Sequence, residues 1–437
     1  MDAIPKLANQ NLRPLSFAID QNASGLSSYG LHPPFAPEAV FTPRNTDEAR
    51  ECVLYANEKK APILPVGGGT SLWRGIEAVK GGLALSFQSM NKILEIRPNN
   101  LTAVVEAGVT NAQFQAALQP YGLRLPVLPA SPEISTLGGE AARNLGSPKS
   151  LRYGSLRHFV LGTEFIAADG KIVRAGGKSV KNVAGYDLSS IVVGSWGTLG
   201  VITSLIIRLI PEPEQEKIFF STYAGLSDAL FAAKEMLHSG LSPAAVHLLS
   251  PSQTEGIPDL SLPQKWALVI ACDGTEESLN RHEAKVLSLG GQTICTDTLQ
   301  ATDAYWRLSV KAFDGRSTQT GEIAGTINVP RKFAPETIRL LAGLTEQNAT
   351  ARIWADLGTG CLRFTLPLAG EAHRNSLESQ LLNLALASQG ILVTDNPFRV
   401  WTPSKPPAQI HLLKNLKDTV DPFRILNPQA ILLREVQ

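Results

Sequence analysis

Apolar residues fall on one helical face between Asp47 and Lys60, where Ala49, Cys52, Val53 and Ala56 follow the period and Thr46 or Asp47 can cap the start. Short runs with β patterning follow: Ile63–Val66, Leu83–Ser86, Ile93–Ile96 and Ala103–Ala107. Asn111 to Leu118 returns to helical spacing. Strand and helix therefore alternate, which predicts an α/β or α+β layer. A longer strand, Val201 to Leu209, runs into Pro211-Glu212-Pro213, the best candidate for a domain boundary.

Beyond that step the pattern changes. Strands are expected at Ile218–Tyr223, Ala245–Leu249, Trp266–Ala271 and Gln292–Cys295, with helices at Ser227–His238 and Glu276–Leu289. A second round follows. It has helices at Pro335–Leu344 and Glu371–Ser388, and strands at Ala351–Ala355, Cys361–Leu366 and Ile391–Thr394. Two such rounds suggest a ferredoxin-like α+β domain, in duplicate. Pro403 to Pro407 closes it, and a tail with one helix ends in Asp421-Pro422-Phe423-Arg424-Ile425-Leu426-Asn427-Pro428. The expected division is an N-terminal arm (1–35), a first domain (36–212), a second (213–405) and a C-terminal segment (406–437).

Composition narrows the classes. Forty Lys and Arg balance 39 Asp and Glu over 437 residues, which argues against a nucleic-acid-wrapping or membrane-coating surface. The apolar fraction of 43% excludes a largely disordered chain. The four Cys (Cys52, Cys272, Cys295 and Cys361) form no CxxC pair, so neither an iron–sulfur cluster nor a structural zinc is expected. The N-terminus lacks a signal-peptide pattern, and the apolar run at Val201–Ile210 falls short of the roughly 20 residues a membrane span needs. A cytoplasmic protein is expected.

The glycines carry the chemistry. Gly67-Gly68-Gly69-Thr70-Ser71 follows a strand, and its bare N–H groups and two hydroxyls suit a pyrophosphate. The dinucleotide fingerprint GxGxxG fails there because position 72 is Leu72, and a P-loop ending at Lys178-Ser179 fails because Ile172 stands where its first glycine belongs. Between Thr136 and Gly200 lie 12 glycines in 65 residues, more than twice the chain average. They cluster in Ser131–Gly139, in Arg152–Arg157, and in Lys181–Leu188 with Val193–Thr203. Each cluster alone is compatible with turn chemistry. Together they suit a long ligand gripped by main-chain groups.

These motifs, taken in order, resemble the FAD-binding domain of the vanillyl-alcohol-oxidase/PCMH superfamily. KNVAGYDLSSIVVGSWGTLGVIT and DPFRILNP further resemble glycolate oxidase (glycolate dehydrogenase) subunits and bacterial D-lactate dehydrogenases. The resemblance covers about residues 36–212 and 408–430. It implies a PCMH-type FAD-binding domain of two α+β subdomains, a ferredoxin-like α+β cap, and a tail that returns to the first domain. It implies FAD contacts from Gly67, Gly68, Gly69, Thr70, Ser71, Thr136, Gly138, Gly139, Gly154, Ser155, Arg157, Gly200, Val201 and Ile202. The first glycine loop has no His, so FAD is expected to be noncovalent.

Hydride transfer from a 2-hydroxy acid needs a base for the hydroxyl proton and a cation for the carboxylate. Catalytically complete relatives carry a HxxxHHGDGN-type motif in the cap, and this chain does not. Its seven His are scattered, so no metal site is expected from neighbours in sequence. His247, in an expected strand, and Arg307, after Trp306, are weak catalytic candidates; a structural His and a surface Arg are the plainer readings.

Family loops without the His motif resemble the smaller FAD-binding subunit of glycolate oxidase, as does Trp354–Gly360. That resemblance implies a larger FAD-containing subunit and an iron–sulfur subunit as partners, with at most a peripheral place at the inner face of the membrane. Three readings stand at this point. They are an FAD-carrying subunit of a complex that oxidises glycolate, a self-sufficient D-lactate-like dehydrogenase, and a flavin-free structural subunit.

Overall fold

The computed structural model describes residues 19–20, 37–72, 82–177, 187–256, 265–297, 299–314, 321–344, 351–395, 398–401 and 408–428. Most of the N-terminal arm, most of Lys181–Leu188 and all of Pro403–Pro407 lie outside them.

The first layer is a four-stranded sheet in the order Ile19–Asp20, Ala39–Phe41, Leu83–Ser86, Ile63–Val66, with the last three parallel. The helix Thr46–Lys59 buries Ala49, Cys52, Val53 and Ala56, as their spacing predicts. Its cap is Asn45, not Thr46 or Asp47: extended Asn45 accepts from the Glu48 N–H through Oδ1 at 2.9 Å. The Thr46 hydroxyl is engaged by Glu164 at 2.7 Å. The second layer is a five-stranded antiparallel sheet in the order Ile93–Arg97, Thr102–Glu106, Val201–Arg208, Val160–Ile166, Ile172–Gly176. The last two strands were not anticipated; Gly162 and Gly176 dilute their apolar pattern. One core spans both layers and takes in Ile425 and Leu426 from the tail.

The following residues build one nine-stranded antiparallel sheet from two copies of the same unit. Strands Gln215–Tyr223, Ala245–Leu249, Trp266–Gly274 and Gln292–Thr296 stand in the spatial order fourth, first, third, second. Strands Glu322–Asn328, Arg352–Asp356, Cys361–Pro367 and Ile391–Asp395 repeat that order in mirror sequence. The two units join where Ala245–Leu249 pairs with Arg352–Asp356, and Phe398–Trp401 extends the far edge. The expected duplication is therefore present. The opening strand of the second copy, Glu322–Asn328, was missed. Its Gly325 breaks the pattern, but a Cβ there would lie 2.4 Å from the Val393 carbonyl oxygen, so the strand demands glycine.

Alternation along Gln215–Tyr223 separates two faces. Phe219 joins the core under the four paired helices, whereas Ile218 and Phe220 join Tyr305, Trp306 and Trp354 on the opposite face. That second face, with helix Leu299–Asp314, meets Leu128 of the first domain.

Candidate functional site

A cleft opens between the two layers of the first domain and encloses about 780 Å³, its mouth included. One wall is the loop Gly67–Ser71, delivered by strand Ile63–Val66. The facing wall is Ser135–Gly139 at the start of helix Leu137–Arg143, where the Thr136 hydroxyl accepts from the Gly139 N–H at 3.3 Å. The walls touch so closely that only glycine fits. A Cβ on Gly67 would sit 2.1 Å from Thr136 Oγ1, and one on Gly68 would sit 1.9 Å from the Ile134 carbonyl oxygen.

The polar groups of this loop point to an anion. Among the described residues, the N–H groups of Gly68, Gly69, Thr70 and Ser71 meet no acceptor. Thr70 Oγ1 lies 3.2 Å from Ser135 Oγ, and Ser71 Oγ accepts from Arg143 Nη1 at 2.5 Å. Unsatisfied main-chain donors around a glycine turn, with a guanidinium beside them, form an anion nest. Glu140 and Arg143 are the charged residues among those lining the cleft.

The third wall is Trp196, Gly197, Gly200 and Ile202. Trp196 holds φ +56, a left-handed conformation, between Gly194 at +86 and Gly197 at +70. Its N–H donates to the Ala142 carbonyl at 2.8 Å. Gly200 leaves no space for a side chain, since a Cβ would lie 2.7 Å from Phe165 Cδ2.

The structure thus brings ten of the residues singled out in the sequence to one cleft: Gly67, Gly68, Gly69, Thr70, Ser71, Thr136, Gly138, Gly139, Gly200 and Ile202. Val201 alternates away into the core. Gly154, Ser155 and Arg157 stand off the cleft lining. Arg157 ties the Val193 carbonyl, and the Ser190 carbonyl at 2.9 Å, to the end of helix Leu137–Arg143, where its own N–H donates to Asn144 Oδ1 at 2.9 Å. It therefore braces the third wall from behind.

Neither catalytic candidate reaches the cleft. His247 is fully buried; Nδ1 lies 2.6 Å from Tyr305 Oη and Nε2 3.2 Å from the Pro148 carbonyl. Burial pushes its pKa down to about 3, so it is neutral at physiological pH. Donation from Nε2–H to Pro148 leaves Nδ1 to accept from Tyr305. Arg307 is exposed on helix Leu299–Asp314.

His247 instead belongs to a seam between the two domains. Asp273, wholly buried, accepts from Arg124 Nη2 at 2.7 Å, Arg152 Nη1 at 2.6 Å and Tyr153 Oη at 2.8 Å. Burial alone would raise the Asp273 pKa, but the hydrogen bonds from Arg124 and Tyr153 and the Arg124 charge hold it below the usual carboxylate range. Buried Lys149 pairs with Glu216 at 2.7 Å and lies 4.5 Å from the centroid of the Trp306 ring. The segment Pro148–Tyr153, just beyond the cleft helix, thus carries much of the seam.

Sequence reading missed Arg143, although its i, i+3 spacing from Glu140, just after Gly138-Gly139, was available. It also missed Asp273, whose one signal is a carboxylate closing an apolar strand. Arg152 and Tyr153 were noticed only as part of a glycine cluster.

Comparison with known proteins agrees with this geometry. The family described as "FAD binding domain" matches residues 37–176, and "FAD linked oxidases, C-terminal domain" matches residues 212–391. The chain is 37% identical over 300 residues to the glycolate oxidase subunit GlcD of Bacillus subtilis, covering 66% of this chain and 64% of that protein, just under two thirds of its length. It is 30% identical over 409 residues to a D-lactate dehydrogenase of Archaeoglobus fulgidus, covering 90% of each. Among solved structures, p-cresol methylhydroxylase superposes with a TM-score of 0.72 at 18% identity, covering 95% of this chain and 94% of that one. This likeness establishes the shared PCMH-type fold. Among the described residues, no helix is long and apolar enough to cross a membrane, and no cluster of His, Cys, Asp or Glu could hold a metal ion.

Proposed function

The chain belongs to the FAD-linked oxidases, and from that premise we propose that it is the FAD-carrying subunit of a glycolate dehydrogenase complex. The observation that carries this reading is the cleft: a glycine nest whose N–H donors meet no acceptor among the described residues on one wall, and a second glycine pair packed against it. The pyrophosphate of FAD suits the Gly67–Ser71 loop, with Arg143 supplying the balancing charge. Gly138, Gly139, Gly200 and Ile202 leave a narrow, largely apolar slot for the flavin ring. Among the described residues lining the cleft there is no His, Cys or Tyr to carry a covalent link, and in this reading FAD is bound noncovalently.

When bound, FAD would supply a redox centre able to take up and pass on electrons from 2-hydroxy-acid oxidation. The protein's task is to hold the cofactor and exclude water from it. In this reading a larger FAD-containing subunit provides the base and carboxylate clamp, glycolate leaves as glyoxylate, and an iron–sulfur subunit receives the electrons. Any membrane contact is peripheral and runs through those partners.

A second reading, a self-sufficient D-lactate-type dehydrogenase, is favoured by the near full-length match to the Archaeoglobus fulgidus protein. Turnover separates the two. The flavin-loaded chain is mixed with glycolate or D-lactate and an artificial acceptor, alone and with its co-purifying partners. The subunit reading predicts turnover only with the partners. Robust turnover by the isolated chain overturns it in favour of the second.

A further inference from the structure

We infer that Lys417 and Asn427, in the C-terminal segment, are positioning residues for FAD: they set the conformation of the cleft's third wall from a distance of more than two hundred residues in sequence. The inference rests on flavin binding and is independent of the substrate.

Lys417 lies on helix Ala408–Val420 and is buried. Its ammonium has three donors, and all three are used. One goes to Asp421 Oδ2 at 2.5 Å, one to the Leu426 carbonyl at 2.7 Å, and one to the Thr198 carbonyl at 2.7 Å. Asp421, also buried, accepts in addition from the N–H of Ile425 at 3.0 Å and of Leu426 at 2.8 Å. The ion pair thus folds the tail into a fixed turn and presents one spare donor to the loop that carries Trp196 and Gly197.

Asn427 makes the second contact. Its Nδ2 donates to the Trp196 carbonyl at 2.7 Å. Among the described residues lining the cleft, Trp196 is the non-glycine residue held left-handed, a conformation that is unfavourable for an L-residue. A loop strained in this way needs external bonds to persist. The tail supplies them at Trp196 and Thr198, on either side of Gly197.

The same turn reaches the opposite wall. Ile63 N–H donates to the Ile425 carbonyl at 2.7 Å, and Asn427 N–H donates to the Ile63 carbonyl at 2.9 Å. Ile63 opens the strand that delivers Gly67. The eleven residues of tail from Lys417 to Asn427 therefore fix the spacing of two cleft walls. Balancing the Asp421 charge would require only the ion pair. The bonds to Thr198 and Trp196 serve the loop.

The test separates these roles. In Lys417→Met/Asp421→Asn the buried charges leave together, so no uncompensated ion remains. The double variant is expected to fold but melt below the parent, because the Thr198 and Leu426 carbonyls lose a donor, and to release flavin about tenfold faster, the loss of one charge-assisted hydrogen bond. Asn427→Gly keeps the left-handed backbone and removes only the donor to Trp196. It is expected to release flavin about threefold to tenfold faster, with an altered visible circular dichroism of the bound flavin. Arg424→Ala, which breaks only an exposed pair with Asp418, serves as control and leaves release unchanged. Release is followed by flavin fluorescence after dilution of the holoprotein. Parent-like release and flavin dichroism in Asn427→Gly overturn the inference, whether or not the double variant folds. So does parent-like release in a folded double variant.

Discussion

The cleft of the first domain and the seam beneath the cap solve opposite problems with opposite materials. The cleft must admit a large anionic cofactor, so it is lined with main chain, with glycines where a Cβ would meet Thr136 or Ile134, and with N–H donors that meet no acceptor among the described residues. The seam must exclude everything, so it is packed with side chains that pair charge with charge: Arg124, Arg152 and Tyr153 on Asp273, Arg124 also on Glu212, and Lys149 on Glu216. A backbone site tolerates changes in side-chain chemistry but not in side-chain volume. A side-chain site has the reverse sensitivity.

The sharpest break in that contrast comes from volume. Gly68→Ala places a methyl group against the Ile134 carbonyl, and backbone on both sides must move. Flavin affinity is expected to fall by about 100-fold or more, as overpacking of 1–3 kcal/mol combines with a distorted nest. Titration of the apoprotein with FAD reads it, and the cap should remain folded.

Removing charge from the seam should have the next largest effect. Asp273→Ala strands two guanidiniums, one of them largely buried, and is expected to lose about 3–5 kcal/mol in chemical denaturation, with flavin affinity changed far less. The pH dependence has a definite sign. A carboxyl with a depressed folded pKa contributes stability above its unfolded value, here 3.8, and loses that contribution as pH falls through the folded value. Asp273→Asn should therefore flatten the acid limb of the stability curve below that value.

A second buried aspartate of the cap gives the opposite sign. Among the described residues no cation hydrogen-bonds to Asp356, and the Arg331 charge is the smallest of the effects that lower its pKa. Burial raises its pKa to about 6, against partial relief from the Thr359 hydroxyl and the N–H groups of Gly358 and Thr359. Its ionisation therefore opposes folding, with the cost growing from pH 3.8 to about 6 and complete above that. Asp356→Asn is expected to gain up to about 3 kcal/mol at neutral pH, the scale set by a shift of that size, and little in acid. Melting curves at several pH values check both aspartates together. The smallest effect is expected at Arg307. As an exposed side chain, its replacement by Ala should change stability by less than about 0.5 kcal/mol and leave substrate KM unaltered.

The same contrast explains what the amino-acid order revealed. Glycine is needed at Gly67, Gly68, Gly138 and Gly200 for steric reasons local to short loops, so the cleft announces itself in linear spacing. The repeated β-α-β-β units of the cap were readable because alternation is local too. The seam was not, since Asp273 lies 149 residues from Arg124 and 121 from Arg152, and nothing near any of them marks the meeting. His247 shows the converse hazard. A His in a strand attracts a catalytic reading, and only its full burial beneath Tyr305 and Pro148 removes it from the chemistry.

The central claim is that this cleft holds FAD by main-chain contacts and without a covalent bond. Acid precipitation of the purified holoprotein tests it directly. The account predicts a colourless pellet and a yellow supernatant containing intact FAD. A pellet that keeps the flavin, or a protein that never acquires one, would contradict it.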